Sequence, residues 1–158
     1  MTAPAAKRSA DLSKERLRLW LKLLKASKAI EDEVRRRLRN DYGSTLPRFD
    51  VMSALDRAPD GLKMSEISKR LRVSNGNITG IVDKLAEEGL ALRVPIPGDR
   101  RAHLVRLTGK GREVFEGHAL AHEAWINEIL SGLDVADVDG MTRRLDHLSA
   151  ALEGDADA

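Results

Sequence analysis

Two stretches of this 158-residue chain carry side chains whose types and spacing suit contact with a polyanion. In VPIPGDRRAHLVRLT, residues 94–108, two prolines and a glycine shape a turn that sets Arg100 and Arg101 beside Asp99. A guanidinium is an always-charged planar fork of donors that grips oxyanions. Two of them on a narrow β-ribbon suit a DNA minor groove, where the negative potential is strongest, and Asp99 can orient one through a charge-assisted pair. A solvated, charged hairpin is the plainer reading of that stretch taken alone. The second stretch, SNGNITGIVDKL at 74–85, places Ile78, Ile81, Val82 and Leu85 at helical spacing yet holds Gly76 and Gly80. Each glycine costs about 0.8–1 kcal/mol relative to alanine inside a helix.

At 100° per residue, Gly76, Gly80, Asp83 and Glu87 fall opposite that apolar stripe, with Asn77, Thr79 and Lys84 on its flanks. With Ser74 as N-cap and Asn75 after it, the outer face is small and polar at its N-terminal end. Such a helix can sit deep in a major groove. Asn and Thr reach base edges, and the helix N-terminus holds a phosphate. The bland alternative is a surface that tolerates glycine because nothing approaches it.

Other clusters suit other ligands. VRRRLRN at 34–40 turns Arg36 and Arg39 away from the Val34/Leu38 stripe, with Arg35 and Arg37 at its edges. Clustered arginines suit phosphate groups, of a bound ligand or of DNA, and equally a solvated helix face. Trp20, Phe49 and Met52 are scarce large side chains placed where the first two helices should meet. They suit an aromatic pocket or plain core. His118 and His122 stand four residues apart, but without cysteine or a clear third ligand they read as exposed helix histidines rather than a metal pair. No phosphate-cradling glycine loop and no distinctive nucleophile–base motif is present, so neither an enzyme nor a cofactor is expected.

The elements that must position these residues follow from periodicity. Leu19, Leu23, Ala26, Ile30, Val34 and Leu38 mark a long first helix over 11–41. A second helix follows Pro47 and ends before Ala58-Pro59-Asp60-Gly61. A third runs from about Glu66 to Arg72 with Ser65 as its N-cap, and a fourth from Ser74 to Glu88. Residues 90–95 and 103–107 read as strands around IPGDRRA, and Thr108 caps a fifth helix to about 131. In a sixth, starting at Asp134, Val138, Met141, Leu145, Leu148 and Leu152 form a heptad-like seam suited to a partner helix. Residues 1–10 and 154–158 read as flexible tails.

Composition agrees with packed helices: 42% hydrophobic, 3% aromatic, no cysteine. The net charge of +2 hides a polarity. Residues 1–40 hold twelve Lys/Arg against five Asp/Glu, whereas residues 114–158 hold two against ten. No apolar run is long enough for a bilayer span and no signal-peptide core is seen, which leads to the expectation of a cytoplasmic protein with no membrane partner.

SEISKRLRVSNGNITGIVDKLAEEGL followed by DRRAHLVRLTGKG at 99–111 resembles the MarR family of winged-helix transcriptional regulators. The resemblance covers about residues 11–153. It implies a mainly α fold with a small β-hairpin wing: a winged helix-turn-helix DNA-binding domain at 47–107, with interlocking dimerisation helices at 11–46 and 108–153. It further implies a homodimer on an inverted-repeat operator of double-stranded DNA, usually a repressor released by a small ligand. Asp99 and Arg101 match the family's wing acid and minor-groove arginine, with Arg100 an extra contact. The expected DNA-binding set is then Ser65, Ser74, Asn75, Gly76, Asn77, Thr79, Gly80, Lys84, Asp99, Arg100 and Arg101. A narrower likeness, in TLPRFDVMSALDRAPDGLKMSEISKRL and VSNGNITGIVDKLAEEGL, is to the branch answering to aromatic acids or their coenzyme A thioesters, p-coumaroyl-CoA or benzoyl-CoA for example. That branch would make Trp20, Arg35, Arg36, Arg39, Phe49 and Met52 the ligand-binding set and aromatic catabolism the regulated process. A ligand-independent, architectural DNA-binding protein would use the same helix and wing over a filled core.

Overall fold

The computed structural model describes residues 5–71 and 75–156. Its order is α1 (Ala5–Tyr42), α2 (Leu46–Asp56), β1 (Leu62–Lys63), α3 (Met64–Leu71), α4 (Asn75–Glu87), β2 (Ala91–Ile96), β3 (Asp99–Leu107), α5 (Gly109–Ile129) and α6 (Val135–Ala156). The expected cap Ser74 lies outside the described residues. The chain divides into two units, Met1–His122 and Glu123–Ala158.

In the first unit, one apolar core joins the C-terminal part of α1 to the helix-turn-helix and the sheet. Val34 and Leu38 of α1, Val51, Met52 and Leu55 of α2, Ile67 of α3, and Ile78, Val82 and Leu85 of α4 are buried together with Val105 of β3. Gly43, at φ 59°, ends α1 in the left-handed region. Its N–H reaches the Arg39 carbonyl (3.0 Å), an αL stop that turns the chain straight into α2. Thr45 then caps α2, its Oγ1 accepting the Arg48 N–H at 3.3 Å, and Pro47 stands in the first turn, where a missing N–H is harmless.

The sheet is antiparallel in the order β1-β3-β2. β1 was not expected: Leu62 and Lys63 pair with Val105 and Leu104. Thr108 caps α5 as the sequence suggested, its Oγ1 accepting the Gly111 N–H at 3.0 Å and donating to the Gly89 carbonyl at 2.6 Å. A Cβ on Gly111 would stand 2.0 Å from the Leu90 carbonyl oxygen, so this junction requires glycine.

Three boundaries differ from expectation. α1 starts at Ala5 rather than 11, because Ala5, Ala6, Lys7 and Arg8 are good helix formers with no stop signal after them. α6 continues to Ala156 rather than fraying at 154. Ser65 is not a cap: it lies inside α3, and Glu66 Oε1 accepts the N–H of Lys63 (3.3 Å) just ahead of the helix.

In the second unit, α6 is opened by a reciprocal box. Asp134 Oδ1 accepts the Asp137 N–H at 2.8 Å, and Asp137 Oδ2 accepts the Asp134 N–H at 3.2 Å. Its seam residues Val138, Met141, Leu145, Leu148 and Leu152 are all exposed. Among the described residues no helix is long and apolar enough to cross a membrane.

Candidate nucleic-acid interface

The apolar stripe of α4 holds it against the core through fully buried Ile78, Val82 and Leu85. That leaves Gly76, Asn77, Thr79, Gly80 and Lys84 exposed on the other side. A Cβ built on Gly76 or Gly80 would meet nothing within 4 Å. Neither glycine is therefore demanded by packing inside the protein, and the outer face is as thin as the sequence implied. Asp83, which would repel a phosphate backbone, is paired with Arg93 of β2. Arg48 of α2 is paired in the same way with Glu88. Neither pair is adjacent in sequence, so periodicity does not reveal them.

The wing differs from expectation in an instructive way. The strands run up to Pro97-Gly98, so Asp99, Arg100 and Arg101 belong to β3 rather than to a loose tip. Pro95 pairs with His103 but Ile96 pairs with Asp99, which leaves Arg100, Arg101 and Ala102 without opposite residues on β2. This irregularity frees the ladder locally and re-aims side chains, as bulges do. Asp99 serves it through the backbone. Its Oδ1 accepts the Arg101 N–H at 3.0 Å rather than pairing with a guanidinium, a local turn typical of aspartate. Among the described residues neither Arg100 nor Arg101 makes an ion pair. Arg101 also lines a groove of about 350 Å³ with Lys63, Ser65 and His103. Lys63 was missed because only the β1–β3 pairing brings it beside the wing, whereas His103 is a residue of β3 itself, two positions from Arg101.

The expected ligand set is divided. Arg35 and Arg39 line a cleft of about 450 Å³ with Ser44, Leu46, Asn77 and Ile81. Arg36 is turned aside and donates to Glu33 at 2.6 and 2.9 Å. Hydrogen bonds from Arg36 and Arg37 hold the Glu33 carboxyl down at about 2. Phe49 and Met52 are core, 7% and 1% exposed, and Phe49 packs on the rings of Phe115 (5.5 Å) and His122 (4.9 Å). Trp20 does not join them. It is 54% exposed and lies some fourteen residues, roughly 20 Å, along α1 from the buried Val34. His118 stacks on Tyr42 at 4.2 Å, and burial together with nearby Arg48 pushes its imidazole below the usual value.

The MarR family profile matches residues 44–103, spanning α2 to the middle of the wing. The chain is similar to the transcriptional regulator MhqR of Bacillus subtilis, 28% identical over 85% of this chain and 91% of that one. It is similar also to the transcriptional activatory protein BadR of Rhodopseudomonas palustris, 32% identical over 70% of this chain but only 63% of that one. The chain belongs to the MarR family. It is a DNA-binding transcriptional regulator, and its relatives are regulators rather than enzymes. In fold it matches the MarR-family regulator Sco3205 of Streptomyces coelicolor, solved in complex with DNA. The TM-score is 0.75 at 22% identity, covering 89% of this chain and 88% of that one.

Proposed function

We propose that this MarR-family chain acts as a homodimeric repressor on an inverted-repeat operator and is released by a small organic anion. In this reading α4 enters the major groove, with Asn77, Thr79 and Lys84 at base edges and phosphates; the side chain of the expected contact Asn75 lies outside the described ones. Ser65 flanks it, and Arg100 and Arg101 enter the minor groove on a wing shaped by Asp99. The residues around 11–46 and 108–153 join two copies, putting paired readers about 34 Å apart for successive grooves. The observation that carries the reading is the open space over Gly76 and Gly80 on a helix whose other face is fully buried. Aromatic acids and their CoA thioesters are the first effectors to try, with Arg35 and Arg39 as the anion contacts.

A second reading, ligand-independent DNA binding, is favoured by one observation: Phe49 and Met52 are buried side chains of the core, 7% and 1% exposed. Duplex binding with and without these effectors decides between the two. Arg101→Ala tests the reading of DNA itself. It is expected to weaken a specific duplex by about 1–3 kcal/mol, roughly ten- to a hundredfold by anisotropy, and unchanged affinity would contradict the wing's role.

A further inference from the structure

The groove between the start of α3 and β3 is lined by basic side chains that have no partner inside the protein. β1 stops at Lys63, opposite Leu104, and the chain turns into α3 at Met64, so the ladder on that side of β3 ends just short of His103. The space this opens, about 350 Å³, is lined by Lys63, Met64, Ser65, Arg101, Ala102 and His103. Lys63 and Arg101 are exposed and His103 is half-buried. Among the described residues no side-chain hydrogen bond or ion pair engages Lys63, Arg101 or His103. The neighbouring carboxylates are held on backbone amides, and neither lines the groove: Glu66 Oε1 accepts the Lys63 N–H at 3.3 Å and Asp99 Oδ1 the Arg101 N–H at 3.0 Å. Opposite His103 on β2 stands Pro95, which brings no charge, and Arg93 of the same strand is paired with Asp83. Imidazole is the one group of this set whose charge changes near neutral pH. A phosphate beside it favours the protonated ring, and the protonated ring holds phosphate more tightly, by linkage.

We propose that a backbone phosphate of the bound duplex is clamped in this groove between Lys63 and a protonated His103. Each copy then takes up a proton as it binds, and duplex affinity rises as pH falls through the neutral range. The duplex supplies the phosphate because Arg101, one wall of the groove, enters the minor groove on the reading above, and both edges of that groove are strands of phosphates. Ser65, which does not cap α3, adds a hydroxyl donor at the same place. The inference rests on the DNA-binding reading and adds to it two contacts, Lys63 and His103. It also adds a dependence on pH that side chains such as Asn77 and Thr79, which do not titrate, cannot supply.

The test uses the full chain and a duplex enriched from a random library on the wild-type protein, with Kd followed by anisotropy from about pH 8 to about pH 6. Wild-type affinity is expected to rise about three- to tenfold for each copy engaged. The slope of log affinity against log salt should steepen by about one per copy over the same range. His103→Gln is expected to abolish both changes, and His103→Lys, with its fixed charge, to hold the acid-side affinity throughout. Lys63→Gln is expected to weaken the duplex about tenfold at either pH and to lower the salt slope by about one. His118→Gln and His122→Gln, whose rings lie on α5 against Tyr42 and Phe49, should keep the wild-type response to pH. The proposal is overturned if wild-type affinity does not change with pH, or if the rise survives in His103→Gln. It is equally overturned if Lys63→Gln leaves affinity and slope intact. Failure of the wild type to bind any duplex at either pH would overturn the DNA-binding reading, and the clamp with it.

Discussion

The two halves of α1 carry the same spacing of apolar residues and meet opposite fates. Val34 and Leu38, in its C-terminal half, are 3% and 0% exposed beneath α2 and the helix-turn-helix, whereas Leu19 and Trp20 are 58% and 54% exposed. The seam of α6 resembles the exposed half: Met141, Leu145 and Leu148 face solvent. An amphipathic stripe announces that a face will be covered but not by what. Residues 34–38 are covered by their own chain. The N-terminal half of α1 and the seam of α6 present long, ordered apolar stripes of the kind that serve as partner surfaces, and a second copy is the partner proposed here.

Changing each face in turn sharpens the contrast. The largest effect is expected on the exposed one. Leu145→Lys with Leu148→Lys removes two apolar side chains per copy from the proposed contact, about 3–6 kcal/mol of association for each copy at roughly 1.5–3 kcal/mol a side chain. Sedimentation should show single copies at concentrations where the wild type is paired, while the first unit melts as before. If the wild type itself sediments as one copy, the contrast has been misread. In the buried half, Leu38→Ala is expected to cost about 2–5 kcal/mol of stability by denaturant titration, because its cavity cannot collapse freely. The analogous Leu19→Ala should leave the stability of isolated copies nearly unchanged.

Smaller effects distinguish the outer face of α4 from both. Gly80→Ala should stabilise the helix by up to about 1 kcal/mol, since the new methyl meets nothing, and should nevertheless weaken duplex binding severalfold if DNA approaches the backbone there. A variant that gains stability and keeps its affinity would show that the glycine serves no contact. The smallest effect concerns pH. Burial favours neutral His118 in the folded chain. The stability tied to that neutral ring is fully present above the ordinary 6.5 and is lost as pH falls below it, because the unfolded chain takes up the proton first. His118→Gln should flatten this fall in denaturant midpoint. Asp50, half-buried and raised above its ordinary 3.8, acts in the opposite sense at the acid end, favouring the folded chain as the carboxyl protonates.

Much of the site was legible because its determinants are local. Ile78, Val82 and Leu85 mark the inner face of α4 by spacing alone, and Pro97-Gly98 with its flanking β-formers marks the hairpin. What escaped the sequence was set by contacts between distant segments. The pairing of Leu62 with Val105 creates β1 and brings Lys63 to Arg101. The slipped register after Pro95 explains why Asp99 holds a backbone amide instead of an arginine. Trp20 was placed with Phe49 and Met52 because all three are scarce large residues near two adjoining helices. The length of α1 separates them. The clustering of Arg35, Arg36 and Arg39 is visible in the sequence, but the buried, unpartnered hydroxyl of Ser44 is not, since a single serine after a helix-ending glycine carries no signal.

The measurement that bears most directly on the account is sequencing of duplexes enriched from a random library by the purified full-length chain. Two copies, each presenting a glycine-thinned helix and an arginine-bearing ribbon, predict an inverted repeat whose half-site centres lie about 10 base pairs, or a multiple of that, apart. Enrichment of a single asymmetric site, or no enrichment even in dilute salt, would contradict it.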